Sequence, residues 1–365
     1  MSEHHFDIPI HKLPVVYLQG SYYEMGRQFG KECRNQINEL CHIRTQASLE
    51  HAAERGRTFT ESQALELIKS CSSHLLKFDE NIYQETLGIA EGANLTLEQI
   101  MLMQGLTDYR DYLSWAKIPE GYGCTSMIIS RERSKNGKLL LAQNWDLGTS
   151  NMPYVCFVIR HPNNAPKSYN LTVAGGLSLI GMNSKGLAIG TNNIKTTDTQ
   201  PGLHYLNLIH KAMQYSSADQ VKKMISRAIR SGAHYFLFGD KQGNFYGLEC
   251  SATKHDEIKH KAGVLTHCNH ILSSKLKSLE AEDMGLSTCH RQIRVNQLTE
   301  TDSFDLQRIK EILSDHDGDE LSICRHSDHT GISTNASVIL EPEDGLVHAC
   351  RSHPHSAEWQ TFKVF

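Results

Sequence analysis

GCTSMIISRERSKNGKLLLAQNWD, residues 123–146, is a pair of strand-like runs around a polar turn. CTSMIIS and KLLLAQNW carry the apolar and β-branched side chains that suit a pleated surface, and SKNG between them holds the Asn-Gly pair of a tight turn. With SKNG (134–137) as the turn, Arg133 pairs with Lys138, Cys124 falls opposite Leu147, and Asp146 falls opposite Thr125. A two-residue Asn-Gly turn shifts that register by two. Under either register the Asp146 carboxylate lies near the strand end that begins with Cys124, while the face taken by each side chain stays open.

Outward from this hairpin the character of the chain changes on each side. Up to about residue 115 the pattern is mainly helical, with apolar residues at three- and four-residue spacing in 22–55 and 61–90, among them Leu65, Ile68, Leu75 and Leu76. Thr96 and Gln99 form a capping box that opens a short helix through Met103. Downstream come the strand runs YVCFVIR, YNLTVA, LSLIGM and LAIGT, then helical character from Leu203 to about Arg230. The hairpin YFLFGD–KQGN–FYGLEC follows, then a helical stretch at about 289–313 and the strands ASVIL, LVHAC and WQTFKVF. Hairpins alternating with helical blocks predict an α+β fold with mainly antiparallel sheets. No repeat or linker interrupts the chain, so a single domain over 1–365 is expected.

Composition narrows the function. The 365 residues are 39% hydrophobic and 21% charged, as in an ordinary globular protein, and the formal net charge of −4 offers no footprint for nucleic acid. No apolar run reaches the roughly 18 residues of a membrane span, and the N-terminus lacks the form of a secretory signal, so a cytoplasmic location is expected. The ten cysteines lack the regular spacing of a disulfide scaffold.

A thiol beside a carboxylate is a poor nucleophile, because the negative neighbour raises its pKa. No His lies within the hairpin to act as base. If the Gly123–Cys124 bond breaks, Cys124 acquires an α-amino group of pKa about 7.7–8.0, which can take the thiol proton near neutrality. Gly123, without a Cβ, suits a strained geometry in which the thiol attacks its own upstream carbonyl.

The Gly-Cys-Thr run paired with Gln-Asn-Trp-Asp resembles the core signature of the penicillin acyltransferase family, the acyl-CoA:6-aminopenicillanic acid acyltransferase-like proteins. The likeness continues in THCNH (266–270), SDH (314–316), SICRH (322–326) and STNASVIL. It implies autocatalytic cleavage into 1–123 and 124–365, two fragments that stay associated, and a four-layer αββα sandwich of the N-terminal-nucleophile hydrolase type. It implies Cys124 as nucleophile, Gly123 as the residue whose carbonyl is released, Asn269 as an oxyanion-stabilising amide, and Asp146 as the group that orients the new amino terminus. Thr125 and Asn144 stand as supporting residues. Thr330-Gly331 occupies the segment where the penicillin-forming enzyme carries Ser-Arg, so that enzyme's specificity is not implied.

The expected activity is amide hydrolysis through a thioester acyl-enzyme, on a small N-acyl or peptide-like substrate. An acyl-CoA-dependent N-acyltransferase is the alternative. A non-catalytic metal-binding protein is the reading from another class, prompted by His267-Cys268-His270, Cys289-His290, Cys324-His326-His329 and His348-Cys350-His353-His355. None of these has a recognised metal-ligand spacing, and no dinucleotide, P-loop or Gly-x-Ser-x-Gly signature occurs, so neither a cofactor nor a metal is expected.

Overall fold

A computed structural model describes the chain except residues 1–5, 7, 115–122, 282–284, 319–320 and 328–330. The chain opens with strand β1 (Val15–Gly20), whose Val16 and Leu18 are buried while Tyr17 is exposed. Six helices follow: α1 (Tyr22–Glu32), α2 (Arg34–Glu54), α3 (Glu61–Phe78), α4 (Glu80–Ala93), α5 (Leu97–Gln104) and α6 (Leu106–Ser114). The Thr96–Gln99 capping box is present at the start of α5. Helices α1 and α4 cross with backbones in contact. A Cβ on Gly26, Gly30, Gly88 or Gly92 would lie within 2.5 Å of a carbonyl oxygen of the other helix, which excludes any larger residue.

Two sheets form from the remaining strands. The larger holds β1, β4 (Val155–Pro162), β5 (Ser168–Val173), β6 (Ile180–Asn183), β7 (Leu187–Asn193), β8 (His234–Asp240), β9 (Phe245–Cys250) and β10 (His255–Ile258), in that spatial order. Only its β1–β4 pair is parallel. The smaller sheet is antiparallel throughout, ordered β11 (Val264–His267), β2 (Gly123–Ile129), β3 (Leu140–Gly148), β12 (Ile332–Glu341), β13 (Leu346–Arg351) and β14 (Gln360–Lys363).

The sheets face one another across the main core, in which Ile128, Leu141 and Val338 of the smaller sheet meet Ile189 and Phe236 of the larger. Gln143 stitches the layers, its Oε1 accepting from the Thr191 N–H at 3.0 Å. On the outer side of the smaller sheet, Met127, Ile129, Leu140 and Ala142 pack under α9 (Leu286–Leu298) and α10 (Leu306–Leu313). On the far side of the larger sheet lie α1, α4, α7 (Tyr205–Ala212) and α8 (Ala218–Arg227). A buried carboxylate ties that layer together. Glu85 of α4 accepts from Arg160 of β4 at 2.8 Å and faces His210 Nε2 of α7 at 3.0 Å. Burial alone would raise its pKa, but His210 and Arg160 outweigh it and hold Glu85 at about 2. The architecture is the four-layer αββα sandwich.

The register of the first hairpin differs from both expectations. Cys124 pairs with Trp145, and Gly123 pairs with Asp146. SKNG does turn, with the Gly137 N–H bonded to Ser134 O, but the ladder ends earlier, at Ile129 and Leu140. Residues 131–133 form a 3-10 turn, and Arg133 O and the Lys135 N–H bond to Phe304 instead of across the hairpin. The longer connection moves the register by two in the direction opposite to that of a two-residue turn. No helix among the described residues is long and apolar enough to cross a membrane.

Candidate active site

Cys124 and Asp146 meet at the open end of β2 and β3, on opposite faces. Alternation along β2 sends Cys124 and Ile128 into the space between the sheets, and Met127 and Ile129 outward under the helices. Along β3, Trp145 and Leu147 point inward with Cys124. Asn144 points outward to bond the carbonyls of Leu313 and Ile323, which puts Asp146 on the same outer face. The Asp146 carboxylate therefore addresses the Gly123 end of the backbone rather than the thiol. A Cβ built on Gly123 would lie 3.2 Å from Asp146 Oδ2, 3.0 Å from Arg291 Nη2 and 3.3 Å from Arg325 Nη1. Gly123 has no positive φ, so glycine is required here for room and not for a left-handed backbone.

Asn269 reaches the same point from the turn after β11. Thr288 and Gln292 of α9 accept the N–H groups of Asn269 and Cys268, and Asn192 of β7 donates to the carbonyls of His267 and Cys268. So held, Asn269 Oδ1 accepts from the Cys124 N–H at 2.8 Å, while its Nδ2 donates to Asn193 O at 2.8 Å. The amide thus presents its acceptor to the Cys124 backbone. One of the two Nδ2 N–H donors is engaged by β7.

Arg291 of α9 closes the ring. Its Nη1 donates to the Cys124 carbonyl at 2.6 Å and to Thr125 Oγ1 at 2.9 Å, and its Nη2 donates to Asn269 Oδ1 at 2.8 Å. Asp146 Oδ1 accepts from Thr334 Oγ1 at 2.7 Å, whereas its buried Oδ2 bonds to no described residue. A β-bulge at Asn335, beside Thr334, shifts the β12 register just where β12 meets Asp146.

The electrostatics follow from this burial. The Cys124 thiol is pushed up to about 12, first by burial and then by the Asp146 charge, against the pull of the Asp146 N–H and Arg291. Burial also raises Asp146, with Arg291, Arg325 and Thr334 opposing it. A cavity of about 20 Å³, room for a single water, opens beside Cys124 between Trp145, Leu179, Tyr205 and His234. A larger groove of about 530 Å³, lined by Phe78, Met224 and Ile229, does not include Cys124.

The structure brings Cys124, Gly123, Asp146, Asn269 and Thr125 together. Asn144 stands apart: its amide bonds Leu313 O, Ile323 O and the Ser337 hydroxyl, tying the helix layer to β3 and β12. Arg291, Arg325 and Thr334 are not legible as site residues in the sequence: a buried Arg on α9 leaves no spacing signal, and the other two come from the loop before β12 and from β12 itself. His267 pairs with Glu249 and His348 with Glu341, so each of these two leaves its His/Cys grouping. Thr330 and His329 lie outside the described residues.

The sequence model of the acyl-coenzyme A:6-aminopenicillanic acid acyl-transferase family matches residues 132–355, more than half of the chain. That span includes Asp146, Asn269, Arg291 and Arg325 but begins after Cys124. The acyl-coenzyme A:6-aminopenicillanic-acid-acyltransferase 40 kDa form of Emericella nidulans is 23% identical over 313 residues, 85% of this chain and 84% of that protein. Among solved structures, a conjugated bile acid hydrolase from Clostridium perfringens aligns with 66% of this chain and 97% of its own, at 16% identity and TM-score 0.45. Penicillin V acylase from Agrobacterium tumefaciens aligns with 66% and 86%, at 10% identity and TM-score 0.39. At those scores the structural overlap adds nothing to the family match. This chain belongs to the acyl-coenzyme A:6-aminopenicillanic acid acyl-transferase family.

Proposed function

We propose that the chain is the precursor of an N-terminal cysteine enzyme, which cuts its own Gly123–Cys124 bond and then uses Cys124 to carry an acyl group. The family assignment supplies the broad class, an enzyme of acyl transfer or amide hydrolysis. The finer reading rests on one observation: Asn269 Oδ1 and Arg291 grip the Cys124 N–H and carbonyl, while Asp146 Oδ2 lies against Gly123.

In the first step the Cys124 sulfur adds to the Gly123 carbonyl carbon. The peptide C–N bond breaks, the nitrogen takes up the thiol proton, and a thioester joins Gly123 to the sulfur. Water then hydrolyses that thioester, leaving a Gly123 carboxylate, a free thiol and an α-amino group on Cys124. Asp146, buried and with an open oxygen on this side, is placed to polarise the water and afterwards to hold the α-ammonium.

In the second step the amine removes the proton that burial and Asp146 keep on the thiol in the uncut chain. The thiolate attacks the substrate carbonyl, and the resulting acyl-enzyme passes its acyl group to water or to an amine. Stabilising the oxyanion falls to the second Nδ2 N–H of Asn269, the one that the Asn193 contact does not use. Hydrolysis of a small N-acyl amide is the favoured outcome, since it needs no second acceptor site. Acyl-CoA as donor is the second reading, favoured by the activity for which the Emericella relative is named.

Acid-quenched peptide mapping tests the acyl carrier. Protein incubated with a panel of N-acyl amides and acyl-CoA thioesters should carry the acyl mass of its substrate on the peptide that begins at Cys124. Coenzyme A thiol released only when an amine is present would select the transferase; turnover that survives in Cys124→Ala would sink both readings.

A further inference from the structure

Two loops bring a set of imidazoles together at the edge of the helix layer outside the smaller sheet. His316 follows α10, and His326 precedes β12. His353 and His355 lie in the connection from β13 to β14. One potential ligand atom each from His316, His326 and His355 lies within 4.8 Å of the others, and all three residues are exposed. Their ring centroids are 5.0 to 5.7 Å apart. His353 stacks on His326 with centroids 4.3 Å apart and planes 7° from parallel.

The surroundings suit metal ligation better than mutual packing. The Nδ1 of His316 is satisfied by the Ser314 carbonyl at 2.9 Å, which fixes the tautomer and leaves Nε2 as a lone-pair donor. Cys324 Sγ lies 3.6 Å from His355 Nδ1, so the other nitrogen of that ring is the one left to face the cluster. The neighbouring carboxylates of Asp315 and Asp317 are taken by Arg294, at 2.7 and 3.2 Å. His353 Nε2 is buried behind the cluster and bonds to no described residue.

We propose that His316, His326 and His355 bind one divalent transition-metal ion of the zinc class, with solvent completing the coordination. Imidazole nitrogens select zinc, copper and nickel over magnesium or calcium. A tetrahedral site with bonds of about 2.0–2.1 Å needs ligand atoms ~3.3 Å apart. The three rings must therefore close by rotation, which exposed side chains on two loops allow. The ion joins His316 and His326 to His355 and so ties down the residue next to Arg325. None of the three ligands is a residue of the Cys124 site, and the proposal does not depend on the proposed reaction.

The test uses full-length, untagged protein with Cys124→Ala, which gives one covalent species and removes the nucleophile as a rival ligand. After chelation and dialysis, Zn²⁺ is added and the metal retained through gel filtration is counted. The proposal predicts about one equivalent, a rise in the unfolding temperature with Zn²⁺, and at least a tenfold weaker affinity in His326→Gln and in His355→Gln. Zinc should also shield His316, His326 and His355 from diethyl pyrocarbonate, read by peptide mass without any further substitution. No retained zinc, equal retention in the variants, or unshielded rings would overturn it.

Discussion

Asp146 sits directly across from Gly123, one residue from Cys124, yet its carboxylate leaves the opposite face of the sheet from the Cys124 thiol. In the proposed mechanism the carboxylate is thereby aimed at the bond to be cut and at the amine that cutting would create. Within the uncut chain the same charge helps to keep the thiol protonated. In that mechanism one residue would hold the nucleophile in check and prepare the group that activates it.

Replacing Asp146 with Asn keeps the shape and the Thr334 contact while removing the charge. Cleavage at Gly123–Cys124 should slow on the order of 10²-fold, the scale of losing one preorganised electrostatic group. A time course on a denaturing gel measures it, and an unchanged rate would remove Asp146 from the mechanism.

Arg291→Lys tests the ring of contacts around Cys124. A single ammonium cannot supply both guanidinium donors to Cys124 O, Thr125 Oγ1 and Asn269 Oδ1. The variant should lose about 2–4 kcal/mol of stability, because buried charged contacts go unmade. Urea unfolding of this variant in a Cys124→Ala background separates that loss from any effect of cleavage.

Gly123→Ala places a methyl group 3.0 to 3.3 Å from Arg291, Asp146 and Arg325. The fold should survive, since the backbone there is not left-handed. Cleavage should fall at least tenfold as the three charged groups move aside, a loss of about 1.4 kcal/mol in transition-state stabilisation. Normal cleavage would mean that this corner of the site tolerates far more than its geometry suggests.

His204 provides an acid-sensitive element away from the cleavage point. Burial, then the neighbouring His234, lowers its pKa to about 3, and neither ring nitrogen bonds to a described residue. Its stabilising contribution is present above the unfolded pKa of about 6.5 and is lost as pH falls toward 3, because only the unfolded chain takes up the proton in that window. Between pH 7 and 5 the loss is about 2 kcal/mol. His204→Phe should lose that much less over the same interval, as read by denaturant midpoints at the two pH values.

Much of the fold is legible where local and long-range signals agree. YFLFGD–KQGN–FYGLEC folds as the β8–β9 hairpin, with Gly243 at φ +90 in its turn, and the capping box at Thr96 starts its helix. β1 was missed although VVYLQG alternates buried and exposed residues, because the helical blocks behind it dominate that region. β10 and β11, four residues each, carry too little pattern to stand out. The register of β2 and β3 was out of reach because Phe304, far along the chain, captures the connection between them.

The candidate site divides in the same way. Gly123, Cys124 and Asp146 lie within one hairpin, so pairing alone brings them close. Asn269 enters through a family resemblance. Arg291 and Arg325 arrive from elements that only the tertiary fold carries to this sheet end. The histidines at 316, 326 and 355 fit no ligand spacing because they come from two separate loops.

Denaturing intact-mass analysis of freshly purified wild-type protein beside Cys124→Ala tests the central claim most directly. Self-cleavage predicts two wild-type fragments of about 14 and 27 kDa from the 41.1 kDa chain, the larger beginning at Cys124, and a single intact chain in the variant. One uncut chain in both proteins after prolonged incubation, or the same two fragments in both, would contradict it.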